Sequence, residues 1–313
     1  MSKAKIIFFG TSEFAVPSLE KLIEAGYAPL FVVTKPDKPI GREKKLKSPP
    51  VKLKAQELSL PVKQPSKLDE KFIQQVEKTQ AAVLVVVAYG KLLPKKLLAT
   101  AKLGAINIHP SLLPKYRGPS PIQTAILNLD PKTGVTLMKL DEGMDSGPII
   151  AQKEVKILDD DDAISMANCL AVFGAQLLID NLENYFNQKV TLTEQDESLA
   201  SESKLIERED GHVNWSKSTK QILAQFRALK PWPGIFSYLG KKRLKLTKIK
   251  PYRGQIDNKF QPGDLFINEK SGDLIAKSSD GALVLTTVQL EGKKEITGPE
   301  FVNGLKGSIS SLS

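Results

Sequence analysis

Histidine and cysteine are scarce in this chain. Its 313 residues include two histidines, His109 and His212, and one cysteine, Cys169. A lone cysteine excludes an internal disulfide framework and fits a reducing compartment. Cys169 lies in a helical-looking stretch and reads as a small buried hydrophobe. So few histidines and cysteines cannot build a common zinc site, so no metal is expected. No Walker loop is present, which removes the P-loop nucleotide enzymes. No run approaches the ~20 apolar residues of a membrane span. The apolar run after Lys5 is far too short for the core of a signal peptide. The expectation is a cytoplasmic protein without membrane contact, taken as a monomer.

Acidic residues are also in deficit. Lys and Arg number 45 against 35 Asp and Glu, a net charge of +10, and the pI is near 9.4. That excess favours a polyanionic partner such as RNA, DNA or an anionic membrane, although a generally basic soluble protein carries it equally well. A hydrophobic fraction of 41% supports buried cores, and the length suits roughly two domains of about 150 residues.

Strand and helix signals alternate through the first half. Ile6 to Phe9 is a short apolar run ending at Gly10, and Phe14 to Gly26 carries Leu19, Leu22 and Ile23 at helical spacing. Leu30 to Val33 reads as a second strand. Leu68, Phe72 and Val76 recur every four residues, as on a helix. Ala82 to Ala88 is wholly apolar, the pattern of a parallel strand buried on both faces. Ala105 to His109 is another strand, Pro121 opens a helix, and Val135 to Leu140 and Ile149 to Val155 close the series. The alternation predicts an α/β fold, a doubly wound, mostly parallel sheet. A helix from about Ala163 to Phe186 follows an Asp159 to Asp162 cap, with Ile164, Ala167, Leu170, Phe173, Leu177 and Leu178 as its stripe. The expected domains are 1–187, a polar linker at 188–205, and a small OB-like β-barrel at 206–313, where short strands alternate with Gly and Asp turns.

In doubly wound folds, ligands bind beyond the carboxyl ends of the strands. Gly10, Tyr89-Gly90 and His109-Pro110 all follow strand ends. A dinucleotide reading of Gly10-Thr11-Ser12 is weak: later glycines are missing, and no acidic residue ends the second strand. A tight strand-to-helix turn explains it better. Asn107 and His109, two apart on an extended segment, point the same way, and Asp145 follows in a glycine-rich loop. An amide, an imidazole and a carboxylate around one carbonyl suit acyl transfer to an amine. Taken singly, His109 reads as a structural histidine, Asn107 as a strand-end residue and Asp145 as an Asx-turn.

The run from Asn107 to Gly118 followed by Gly134 to Gly147 resembles the formyltetrahydrofolate-dependent formyltransferases. The likeness extends to Ile6–Asp37, Val83–Pro94 and Ala228–Gly234. It implies a formyltransferase-like variant of the Rossmann fold, with Asn107, His109 and Asp145 as catalytic residues and 10-formyltetrahydrofolate as co-substrate. Ser111, Leu112, Leu113 and Pro114 match the segment lining the family's folate site. Tyr89, Gly90 and Leu92 fall in its pterin-side loop, and Phe14 borders the methionine side chain by the same likeness. Within the family the chain is most similar to members that formylate methionine on initiator methionyl-tRNA for translation initiation. The catalytic set alone does not separate these from formyltransferases of small amines or from formyltetrahydrofolate hydrolases.

Two basic features favour tRNA. Thr34 to Pro50 carries Lys35, Lys38, Arg42, Lys44, Lys45 and Lys47, and its prolines and Gly41 argue against regular structure. It resembles the loop with which the tRNA enzymes hold the acceptor stem, and its cations suit phosphates; alone it reads as a solvated loop. Lys241, Lys242 and Arg243, with Lys245, Lys248 and Lys250, form a basic strand that could meet a sugar–phosphate backbone or protect a solvated edge. His212, Trp215 and Trp232 read as fold residues rather than base-stacking groups.

Overall fold

The computed structural model describes residues 4–40, 45–304 and 311–313. The chain divides into two compact units: unit 1 is Met1–Ile122, Pro131–Ile157 and Ser165–Lys204, and unit 2 is Gln123–Asp130, Leu158–Ile164 and Leu205–Ser313.

Unit 1 contains β1 (Ile6–Gly10), β2 (Val32–Val33), β3 (Lys38–Ile40), β4 (Lys45–Lys47), β5 (Val62–Lys63), β6 (Val83–Val87), β7 (Ala105–His109), β8 (Lys132–Lys139) and β9 (Ile149–Lys156). Seven of these make one sheet in the order β5-β2-β1-β6-β7-β8-β9. Pairing is parallel from β5 through β7 and antiparallel at β7–β8 and β8–β9. Every residue of β1 and β6 is buried, as strands covered on both faces require. Strand order turns back beside β1: β2 and β5 lie on one side, β6 and β7 on the other. That switch point brings Gly10, the loop after β6 and the end of β7 to one rim.

The helices of this part are α1 (Val16–Glu24), α2 (Pro50–Glu57), α3 (Glu70–Glu77), α4 (Lys95–Leu98), α5 (Pro121–Leu127), which runs on into unit 2, and α6 (Ala163–Phe186). Asp69 caps α3 by accepting from Phe72 N at 3.0 Å, and Phe72, Ile73 and Val76 enter the core. α6 crosses the sheet at Gly174, where a Cβ would sit 2.6 Å from Ile108 Cγ2 and 3.1 Å from a Val135 methyl. Only glycine permits that approach. α6 is also long and apolar enough by composition to cross a membrane, although polar residues interrupt its apolar runs. It buries Leu170, Leu178, Leu182 and Tyr185.

Several expectations need correction. The second strand shrinks to β2, and Leu30 is exposed. The basic loop holds regular structure: β3 and β4 pair antiparallel, with Pro39 opposite Leu46. A two-stranded ribbon is all edge, so proline is tolerated there. The α6 stripe is displaced: Ile164 and Phe173 are exposed, while Met166, Ala171 and Ala175 are buried. Cys169 is only half-buried. Residues 188–204 pack as part of unit 1, with Thr193 bridged to Ile149.

Unit 2 holds α7 (Thr219–Ala228), β10 (Ile235–Leu239), β11 (Lys242–Pro251), β12 (Leu265–Ile267), β13 (Leu274–Lys277), β14 (Ala282–Leu290), β15 (Glu295–Thr297) and α8 (Gly298–Gly304). A Ser218–Gln221 capping box starts α7. The strands form an antiparallel sheet, β10-β11-β14-β13-β12, with β15 on β14. Leu312 forms a bridge to Leu239 on β10 and donates to Gly263 O at 2.7 Å, just before β12. It thus touches both ends of the sheet path. His212 and Trp215 are structural: His212 meets Ser313 O at 3.0 Å, and buried Trp215 donates to Ser237 Oγ at 2.9 Å. Trp232, expected as a fold residue, is 59% exposed.

Candidate active site

β7 places Asn107 opposite Val86 and Met138, and His109 opposite Thr136. Ile108, the residue between them, faces α6. Strand alternation therefore sends Asn107 and His109 from the other face. Asn107 is partly exposed and His109 is buried. The imidazole has two neighbours. Its Nδ1 lies 3.4 Å from Asp145 Oδ2, and its Nε2 lies 2.9 Å from Tyr116 O. A carbonyl can only accept, so Nε2 carries a proton in this arrangement.

Asp145 arrives on the loop between β8 and β9. Its φ is +54°, a left-handed conformation that aspartate tolerates better than most residues. The loop is tight at Gly147, where a Cβ would collide with the Lys139 carbonyl. Asp145 Oδ2 also accepts from Gly118 N at 2.9 Å. Asp141 braces the same loop, accepting from Gly143 N and Ser146 Oγ at 3.0 Å.

A further layer lies in residues 193–203, and the sequence reading missed it. Gln195 is 9% exposed. Its amide donates to Asp145 O at 2.8 Å and Gly147 O at 2.7 Å. Its Oε1 accepts from Arg117 Nε and Nη2 at 3.0 and 2.9 Å. Arg117 forks onto Glu197 through Nη1 and Nη2 at 3.0 and 2.8 Å. Glu197 holds the guanidinium above its usual pKa, and Arg117 pulls the Glu197 carboxyl down. Backbone bonds pin the segment too: Arg117 N to Ser201 O at 2.8 Å and Ser203 N to Arg117 O at 2.7 Å. Arg117 and Gly118 stood within a recognised motif without a role. Gln195 carried no sequence signal, because its polar surroundings look like a solvated connection.

The residues expected at the folate site are divided. Ser111 is buried, and its hydroxyl donates to Lys115 O at 2.6 Å. Leu113 is buried, with its N bonded to Thr136 Oγ1 at 3.1 Å; Leu112 and Pro114 are partly exposed. Tyr89 turns its ring into the core, edge-on to Phe9 at 5.4 Å. Its hydroxyl has no partner among the described residues, and burial pushes its pKa up. Only its backbone reaches the rim, where Tyr89 O accepts from Thr11 Oγ1 at 2.9 Å. Gly90 and Leu92 are exposed, and Phe14 is partly exposed after β1. Lys35 stands beside Gly90, where a Cβ would lie 2.5 Å from its Nζ. Burial, then Lys38 and Lys91, lower its pKa.

The expected tRNA contacts lie on both units. Arg42 and Lys44 fall outside the described residues. Lys45 and Lys47 belong to β4, and Lys47 is exposed. Asp37 ties the base of the ribbon down, accepting from Ser48, Lys52 and Gln64 at 3.2, 2.7 and 2.7 Å. In unit 2, Lys241 and Lys242 are exposed at the β10–β11 turn. The Arg243 guanidinium sits 5.0 Å from the Phe236 ring centre. The β11–β14 register shifts between Leu246 and Ile249. That irregularity reverses side-chain parity, so Lys248 and Lys250 join Arg243 and Lys245 on the face opposite buried Leu244 and Leu246.

A doubly wound sheet presenting an Asn, a His and an Asp at one rim defines a class. The chain belongs to the formyl transferase family: residues 4–182 match the model described as Formyl transferase, and residues 205–306 that of Formyl transferase, C-terminal domain. Within the family it stands with the methionyl-tRNA formyltransferases. It is 43% identical to methionyl-tRNA formyltransferase of Thermodesulfovibrio yellowstonii over 302 residues, 96% of each chain. Among solved structures, it resembles the N-formyltransferase of Helicobacter canadensis, in complex with folinic acid and dTDP-3-aminofucose, with a TM-score of 0.67 and 22% identity over 90% of this chain and 98% of that one. HypX of Aquifex aeolicus gives a TM-score of 0.64 and 17% identity over 99% of this chain. This chain spans about half of HypX, 49%. These two likenesses show the fold. The family draws its formyl group from formyltetrahydrofolate.

Proposed function

We propose that this enzyme transfers the formyl group of 10-formyltetrahydrofolate to the α-amine of methionine esterified to initiator tRNA. The observation that carries the reading is the 3.4 Å approach of His109 Nδ1 to Asp145 Oδ2, with Asn107 one alternation back on β7. The neutral amine attacks the formyl carbon. The carbonyl electron pair moves onto oxygen, giving a tetrahedral oxyanion within reach of Asn107 and His109. One such donor typically contributes about 3 to 4 kcal/mol. Collapse breaks the bond from carbon to folate N10. The amine proton passes to N10 with help from Asp145, directly or through His109 or a water. No covalent enzyme intermediate is needed. The Tyr116 carbonyl holds the Nε2 proton of His109, so donation from Nε2 to the formyl oxygen requires that bond to be exchanged.

The folate fits the rim formed by Ser111–Pro114 and the backbone of Tyr89 and Gly90, with Leu92 at its edge. Backbone polar groups there can read a pterin while apolar side chains cover its faces. The ribbon β3–β4 and the basic face of β11 supply cations for tRNA phosphates. We assign the chemistry to unit 1 and tRNA recruitment to unit 2 with that ribbon. The decisive assay supplies formyltetrahydrofolate with charged initiator tRNA, charged elongator tRNA or glycinamide ribonucleotide and follows formyl incorporation. Formylation confined to initiator methionyl-tRNA is expected. Preference for the small amine, or release of formate without an acceptor, overturns the assignment.

A further inference from the structure

We infer that Gln195 is a positioning residue for the formyl transfer: clamped by Arg117, it fixes the Asp145 backbone and so aims the Asp145 carboxylate at His109. The inference rests on the reading of Asp145 as a proton-handling group. Asp145 sits at φ +54°, a sparsely populated conformation that the surrounding contacts must hold. Its carboxylate is held by Gly118 N and faces His109. Its main chain is held by Gln195, which also takes the carbonyl of Gly147 two residues on.

The orientation of the amide is dictated by its partners. Two carbonyls must face the NH2 group, and a guanidinium must face the oxygen. The reversed amide would oppose like groups at all four contacts. Both hydrogens accordingly have acceptors, and Oε1 takes two donors from Arg117. Arg117 is itself fixed by its fork onto Glu197. Arg117 and Gly118 are adjacent, so one end of the clamp also presents the N–H that binds Asp145 Oδ2. The segment 193–203 therefore links the loop after β7, which carries Tyr116 O against His109, to the loop after β8, which carries Asp145. Misplacing a catalytic group by about 1 Å lowers turnover on the order of a hundredfold.

The test compares full-length Gln195→Ala, Gln195→Glu, Asp145→Ala and the Gln195→Ala/Asp145→Ala double variant by kcat, both KM values and thermal melting. Gln195→Glu keeps the volume and the acceptor for Arg117 but sets a carboxylate against two carbonyls, and it answers the question if Gln195→Ala does not fold. We expect each folded Gln195 variant to lose kcat on the order of tenfold to a hundredfold, with both KM values nearly unchanged. In the Asp145→Ala background, Gln195→Ala should change kcat little, because residues acting through one another do not lose activity independently. Multiplying losses in the double variant indicate a general structural role and overturn the inference. Wild-type kcat in both Gln195 variants beside an inactive Asp145→Ala overturns it alone. Near-normal Asp145→Ala turnover removes the catalytic reading of Asp145 and this inference with it.

Discussion

His109 is held from two sides, and this constrains what it can do. With Nε2 donating to Tyr116 O and Nδ1 facing Asp145 Oδ2 at 3.4 Å, its ring plane is set before substrate arrives. A ring fixed in this way leaves only the exchange of the Tyr116 bond to be made before Nε2 can meet the developing charge. Asn107 has the complementary position, partly exposed at the rim. Replacing Asn107, His109 or Asp145 singly by Ala should lower kcat by about 10²- to 10³-fold, while the melting temperature of Asn107→Ala stays close to that of the parent. Steady-state formylation and a thermal melt check this. Near-normal turnover in all three variants contradicts the assignment. The three residues could be singled out in the sequence because their flanking motifs are long. The role of Tyr116 was not, since it acts through a backbone carbonyl, which any residue supplies.

Two elements extend the argument. α6 lies on the sheet and anchors its C-terminal end by Tyr185, whose hydroxyl donates to Leu103 O at 2.6 Å. Burial pushes this phenol up to about 12. The folded state therefore keeps the proton to higher pH than the unfolded chain, whose phenol titrates near 10. This contribution to stability is fully present below pH 10 and falls as pH rises towards about 12. Tyr185→Phe should flatten the loss of stability over that window, as read by urea unfolding at several pH values; an unchanged alkaline slope contradicts the burial argument. The ribbon β3–β4 is the second element. Its prolines suggested irregular structure, but Asp37 bonds to Ser48, Lys52 and Gln64 and holds both ends of the ribbon. Mutating Lys44, Lys45 and Lys47 to Ala should weaken tRNA binding and flatten its salt slope by about 0.7 to 0.9 per lost phosphate contact. Filter binding over a salt series reads this directly, and an unaltered slope excludes the ribbon from phosphate binding.

At the scale of the molecule, charge excess is given a place by the fold. A net charge of +10 is uninformative by itself, but the register shift in β11 collects Arg243, Lys245, Lys248 and Lys250 on one face. If tRNA is held mainly by counterion release, its KM should rise steeply between about 50 and about 200 mM salt. Formyltetrahydrofolate KM and kcat should barely move over that range. Parallel salt effects on both KM values would point instead to a general loss of folded enzyme. The comparison needs no mutant and isolates the polyanion from the chemistry.

The amino-acid order alone determined the strand and helix alternation, the apolar cores of β1 and β6 and the span of α6, and it singled out Asn107, His109 and Asp145. These follow from local periodicity and from motifs whose residues are neighbours in the chain. Tertiary structure decided which side of α6 is buried, the direction of the Tyr89 ring, the shared face of the β11 cations and the Gln195–Arg117 clamp. Each depends on what a distant segment brings into contact. Gln195 and Asp145 are 50 positions apart, and a polar side chain in a polar stretch reads as solvated until the fold supplies carbonyls for it to meet. Hydrogen bonding is short-ranged and directional, so no periodicity in the chain reports such a pairing.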